Sequence, residues 1–188
     1  MTHNNTTVPE VNGFGQTVNF DPVAPNLWFV HDTFDQDTLH WMQGIYVDMD
    51  NTFEVTRPDK RLQLADGNDY QKLQDIGVSL APQLEELLNI KLNLMVAKFW
   101  LDLPEFGCQP HGDSKEIIVT LQVYVDAKDG GDPLYGAEFM HVEPSVTAPL
   151  LPNCGYLNLN TDQKVHQVEA GIGVRQSIAF QYNLSTDS

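Results

Sequence analysis

Between residues 92 and 182 the chain is a succession of short runs, each alternating or β-branched, divided by Gly, Pro, Asp and Asn. Such spacing of strand and turn signals constrains the fold more than any other feature, because it suits two packed sheets or a closed barrel. Residues 92–100 alternate, with Leu92, Leu94, Val96 and Lys98 on one face and Asn93, Met95, Ala97 and Phe99 on the other. Residues 101–110 read as a loop leading into His111. Residues 117–125 form the strongest strand, nearly continuous in aliphatic residues, with Gln122 and Tyr124 on one face. Asp129-Gly-Gly-Asp-Pro133 is a turn signal. Strands follow at 136–142, 156–160, 165–168 and 174–182, with a proline-punctuated loop at 145–153.

The first half reads differently. A short buried strand at 26–30 precedes capping residues at 33–37 and a helix through Leu39, His40, Trp41 and Met42 to Gly44. Residues 47–57 read as extended. Residues 70–90 have apolar positions at helical spacing, with a break expected at Gly77 and a fresh start capped by Ser79, Pro82 standing in its first turn. Helices first and strands later argue for a mainly β chain with flanking α, a jelly roll whose N-terminal helices pack outside one sheet. The 188 residues suit a single domain. Residues 1–12 are expected to be loose, and residues 14–20 to join a sheet edge.

Asp and Glu number 26 against 10 Lys and Arg, giving a net charge of −16. That surface repels phosphate backbones, so nucleic acid is not an expected partner. Three of the few basic residues, Arg57, Lys60 and Arg61, cluster beside Pro58-Asp59, which reads as a solvated turn or as a substrate-contacting loop. The 2 cysteines, Cys108 and Cys154, form no closely spaced pair, and neither a leader nor a membrane span is signalled. A cytoplasmic protein is the expectation.

His111-Gly-Asp113 places a histidine and a carboxylate two residues apart, on one side of an extended strand. A third donor must come from elsewhere. His166 is the best choice, because Arg175 follows it across Glu169-Ala-Gly-Ile-Gly173. A hairpin centred on Ala170 and Gly171 would set His166 opposite Arg175, on one face. Two histidines, one carboxylate and open coordination positions describe a non-haem Fe(II) site better than a structural zinc site. Rival groupings are poorer. His141-Val-Glu143 has the same spacing but no arginine downstream, and Pro144 ends its strand. Cys108 with His111 would need a second close pair that Cys154 alone cannot supply. His3, His31 and His40 are isolated surface or packing residues.

Taken together, Met-Val-Ala-Lys-Phe-Trp at 95–100, Pro-His-Gly-Asp at 110–113, Val-Thr-Leu-Gln-Val-Tyr at 119–124, Gly-Ala-Glu-Phe at 136–139 and the segment 166–177 resemble the Fe(II)/2-oxoglutarate-dependent dioxygenases, and among them the prolyl-hydroxylase branch. The resemblance spans about residues 27–182 and implies a double-stranded β-helix. It implies that His111, Asp113 and His166 bind iron and that Arg175 pairs with the distal carboxylate of 2-oxoglutarate. Tyr124 stands where the family has a tyrosine donating to that carboxylate, and Ser177 where it has the serine of Arg-x-Ser. Phe99 and Trp100 stand where an aromatic lines the pocket. A paired glycine of the family appears here as Tyr135-Gly136. Retention of Asp113 disfavours a halogenase.

The implied activity is hydroxylation of a prolyl or other residue of a peptide or protein, with O₂ as oxidant, succinate and CO₂ as co-products and ascorbate as a supporting reductant. Arg57 and Arg61 would be a substrate clamp. The alternatives are hydroxylation of a free amino acid or small metabolite, and a cupin-like module that holds metal without turnover.

Overall fold

The computed structural model describes residues 18–47, 60–128, 136–160, 165–170 and 173–186. The strands are β1 (Asn19–Ala24), β2 (Leu27–His31), β3 (Arg61–Gln63), β4 (Leu92–Asp102), β5 (Cys108–His111), β6 (Val119–Lys128), β7 (Ala137–Phe139), β8 (Val146–Thr147), β9 (Cys154–Leu159), β10 (His166–Val168) and β11 (Val174–Leu184); the helices are α1 (Gln36–Gln43) and α2 (Gly67–Leu88). Seven strands form the main sheet in the order β1-β2-β9-β6-β11-β4-β3, and four form a smaller one, β5-β10-β7-β8. Every pairing among the described residues is antiparallel. The jelly roll with outer helices is therefore as expected.

Period two divides each long strand of the main sheet between two cores. Leu121, Val123 and Val125 of β6 and Ile178 and Phe180 of β11 pack with Leu73, Ile76, Leu80 and Leu84 of α2 and Met42 of α1. Tyr124 and Tyr156 point the other way, joining Leu27 to Ala137, Phe139, Ala148 and Leu150 between the sheets. Helices seal one face of the main sheet, and its other face lines the space under the small sheet.

Helix α1 starts as expected, with the Asp35 carboxylate accepting from the Thr38 N–H at 2.6 Å, and stops at Gly44. Helix α2 corrects the expected break, for it runs without interruption over 22 residues with Pro82 inside. Ser79 caps nothing; its hydroxyl donates back to the Ile76 carbonyl at 2.7 Å. Gly77 is small because the helix lies close on the sheet here. A Cβ at this position would come within 2.7 Å of Phe180 and 2.9 Å of Leu94, while the Tyr182 hydroxyl donates to the Gly77 carbonyl at 2.8 Å.

Other boundaries move as well. β4 continues to Asp102, and residues 108–110, read as loop, are strand and run with His111 in β5. The strand expected at 136–142 keeps only Ala137–Phe139. Gly136 sits there because a Cβ would fall 1.9 Å from the Ala148 carbonyl oxygen. The expected pairing of His166 with Arg175 across a hairpin is not formed. β10 pairs with β5 and β7, whereas β11 pairs with β4 and β6 in the other sheet. The extended reading of 47–57, the loose residues 1–12 and the edge residues 14–17 fall outside the described residues, apart from Val47. No described helix is long and apolar enough to cross a membrane.

Candidate functional site

The small sheet brings the two histidines together. His111 and His166 are direct register partners in β5 and β10, and their ring centroids are 4.5 Å apart. His166 is buried and His111 exposed, so the pair lies at the mouth of the space between the sheets. Phe139 and Tyr156 wall the inner side, with centroids 5.8 and 6.4 Å from His166. Their own rings meet edge to face at 4.8 Å.

A backbone carbonyl fixes the tautomer of His111. Its Nδ1 lies 2.9 Å from the Gln109 carbonyl oxygen, which can only accept, so Nδ1 carries the proton and Nε2 keeps the lone pair a metal ligand needs. The Cys108 sulfur lies 3.4 Å from the same nitrogen. Contact with Cys108 above all, helped by Gln109 and opposed by burial, raises the pKa of this imidazole.

Asp113 lies beyond the end of β5 rather than on the strand with His111. Its Oδ2 accepts from the Thr120 hydroxyl and the Asn160 amide, each at 3.0 Å. Among the described residues no three His, Cys, Asp or Glu side chains are grouped closely enough to hold a metal ion. The donor chemistry nevertheless fits one: two imidazoles side by side and a carboxylate in the next turn, with only one of its oxygens bound by Thr120 and Asn160. His141 is exposed and outside its expected strand, its Nδ1 3.4 Å from the Val165 carbonyl oxygen.

Arg175 comes to the site from the main sheet. Opposite it stands not His166 but Asp102 of β4, which accepts from Nε at 2.9 Å and from Nη2 at 2.6 Å. Tyr124 and Ser177 are register partners one step further along. Tyr124 is fully buried, its hydroxyl oxygen accepting from the Ala137 N–H at 2.8 Å. Burial pushes that phenol up in pKa, and the Arg175 charge opposes the shift. Ser177 Oγ lies 3.5 Å from the Gln122 amide, and Gln122 accepts from the Tyr156 hydroxyl at 2.9 Å.

The two aromatics separate cleanly. Phe99 is fully buried in the core facing the helices, so it is not a pocket residue. Trp100 points to the opposite face, its indole N–H donating to Gln63 at 3.1 Å. Arg61 corrects the loop reading: it belongs to β3, is mostly buried, and grips Asp102 through Nε and Nη2. Arg57 lies outside the described residues. Lys60 forms an exposed ion pair with Glu105 at 2.6 Å.

Sequence reasoning missed Asp102, Thr120, Tyr156 and Asn160. For Thr120 a signal existed, since period two along β6 puts it on the face of Gln122 and Tyr124. Nothing local marks Asp102, which becomes meaningful only through partners on two other strands.

No protein-family model matches the chain, and no curated protein matches it. Solved structures do. HygX from Streptomyces hygroscopicus, with nickel, 2-oxoglutarate and hygromycin B bound, aligns with a TM-score of 0.62 at 13% identity, covering 86% of this chain and 84% of that one. A 2OG-Fe(II) oxygenase family oxidoreductase from Burkholderia pseudomallei aligns at 0.63 and 8%, covering 85% and 84%. A Pseudomonas putida prolyl-4-hydroxylase aligns at 0.61 and 14%, covering 85% and 93%. The fold is that of the 2-oxoglutarate/Fe(II) oxygenases. Within that oxygenase fold the chain places its paired histidines on the small sheet and its buried arginine on the large one.

Proposed function

We propose that the protein is an Fe(II)- and 2-oxoglutarate-dependent oxygenase. The observation that carries this reading is the direct pairing of His111 with His166 across β5 and β10, at the mouth of a space whose opposite wall holds Arg175, Tyr124 and Ser177. In this reading His111, His166 and Asp113 would hold the iron. When bound, iron and 2-oxoglutarate supply oxidative decarboxylation to succinate and CO₂, coupled to insertion of one oxygen atom of O₂ into a substrate C–H bond.

The chain's own residues orient and shelter that chemistry. Gln109 holds the His111 tautomer, and Thr120 and Asn160 hold Asp113. Arg175 gives a charge-assisted contact to the distal carboxylate, with Tyr124 and Ser177 adding hydroxyl donors. Phe139 and Tyr156 exclude water from the inner side of His166.

We assign the substrate as a prolyl or other residue of a peptide or protein, in keeping with the P. putida prolyl-4-hydroxylase among the structural neighbours. Arg61 no longer supports that assignment as a surface clamp, because it is turned inward onto Asp102. A small-molecule substrate is the second reading, in keeping with the likeness to HygX with its bound hygromycin B. Incubation with Fe(II), ascorbate, 2-oxoglutarate and O₂ decides between an oxygenase and a cupin-like metal binder, since only the first forms succinate. Candidate peptides and small metabolites then compete in the same assay, and mass spectrometry identifies which gains one oxygen atom. Absence of succinate with every addition refutes the reading.

A further inference from the structure

Arg175, Asp102 and Arg61 form one row across β11, β4 and β3, because Asp102 is the register partner of both arginines. Residues directly opposite share a face, so the three side chains meet. Their exposures are 9% for Arg175, 3% for Asp102 and 15% for Arg61. Arg61 engages both carboxylate oxygens, Nε to Oδ1 and Nη2 to Oδ2 at 2.9 Å. Arg175 takes only Oδ2, through Nε and Nη2. The Arg61 guanidinium also packs over Trp100 and Phe106, 4.3 and 4.0 Å from the ring centroids, which fixes it without cancelling its charge.

Arginine stays protonated in proteins, so Arg61 and Asp102 together form a neutral pair. Contact with that pair holds the guanidinium plane of Arg175 and adds no net charge to it. A lone Asp102 carboxylate at the same distance would offset the Arg175 charge and compete with any carboxylate ligand.

We propose that Arg61 and Asp102 are a neutral clamp that positions Arg175 as a carboxylate-binding group, with Arg61 keeping Asp102 from neutralising it. This rests on the reading above, in which the ligand is a dicarboxylate held at one end by Arg175. Both clamp members act through Arg175, so they are positioning residues and not catalytic ones.

The probe is glutarate, a dicarboxylate without the keto group that chelates metal, titrated calorimetrically into the full-length protein and its variants. Arg61→Gln unmasks Asp102 and is expected to raise the dissociation constant about tenfold or more, the worth of one charge-assisted contact. Arg61→Lys, which keeps the charge, is expected to lose much less. Arg61→Gln/Asp102→Asn, neutral again, is expected to regain most of the wild-type affinity, although two of three cluster members are gone. A merely structural role predicts the reverse, with the double variant the worst. Unchanged binding in Arg61→Gln, no recovery in the double variant, or no glutarate binding by the wild type overturns the proposal. Should Arg61→Gln melt below the titration temperature, Asp102→Asn alone decides: retained or tighter binding supports the clamp, and loss of binding in a folded variant overturns it. Glutarate binding in the expected order without succinate formation from 2-oxoglutarate would sink the oxygenase reading alone. Turnover with affinities blind to Arg61 would sink the clamp alone.

Discussion

Arg175 illustrates how much one side chain depends on its neighbours. Asp102 holds its Nε and Nη2, and Tyr124 and Ser177 follow along the same face. In the proposed oxygenase reading, removing the guanidinium should disturb 2-oxoglutarate binding and leave the histidines alone. Arg175→Ala is expected to raise the 2-oxoglutarate KM by roughly 10- to 100-fold, the scale of a hydrogen bond to a charged group. Metal content measured on the purified variant should stay near wild type; loss of metal instead would mean that Arg175 supports the histidine pair. His166 and Arg175 were both visible in the sequence, but their relation was not. Separation along the chain suggested a hairpin, whereas hydrogen bonding placed them in opposite sheets.

At the scale of elements, α2 shows why local signals mislead. Gly77 has the look of a helix breaker, yet it marks closest approach to Phe180 and Leu94. Gly77→Ala should gain about 1 kcal/mol of helix propensity and lose roughly 1–3 kcal/mol to overpacking. The expected net result is a lower midpoint of urea denaturation; a higher one would show that Leu94 and Phe180 yield freely. The far end of the helix is tied to β4 through Glu85, which accepts from the Leu92 N–H at 2.9 Å and pairs with Lys91 at 2.7 Å. The Leu92 N–H first, and Lys91 second, hold its carboxyl below the ordinary value. A group with a depressed folded pKa stabilises the fold above its unfolded pKa of about 4.3, and the contribution fades as pH falls through the lower folded value. Wild type should therefore melt above Glu85→Gln at neutral pH, and the two should converge as acidification protonates the folded-state carboxyl. A gap in melting temperature that persists in acid would contradict the carboxylate's role.

For the molecule as a whole, the charge of −16 gains meaning from where the few cations lie. Arg61 and Arg175 are turned inside around Asp102, so the outer surface has fewer cations to offset its carboxylates. Self-repulsion of that surface should be relieved by salt. Raising NaCl from about 0.02 M to about 0.2 M shortens the screening length from roughly 20 Å to about 7 Å and is expected to raise the melting temperature by a few degrees. A fall would mean that favourable ion pairs outweigh the repulsion.

Sequence by itself determined the elements and their faces, because side-chain alternation and helical spacing are local: β4, β6 and β11, the start and stop of α1, and the shared face of Gln122 and Tyr124. It also singled out His111, Asp113, His166 and Arg175 by residue type and spacing. Only the tertiary structure decided which strands are neighbours, and with that the pairing of His111 with His166 and of Asp102 with two arginines 41 and 73 residues away along the chain. The reason is physical. Which face a strand buries follows from its own residues, whereas its partners are chosen by the packing of two sheets and two helices at once, and no single segment carries that information.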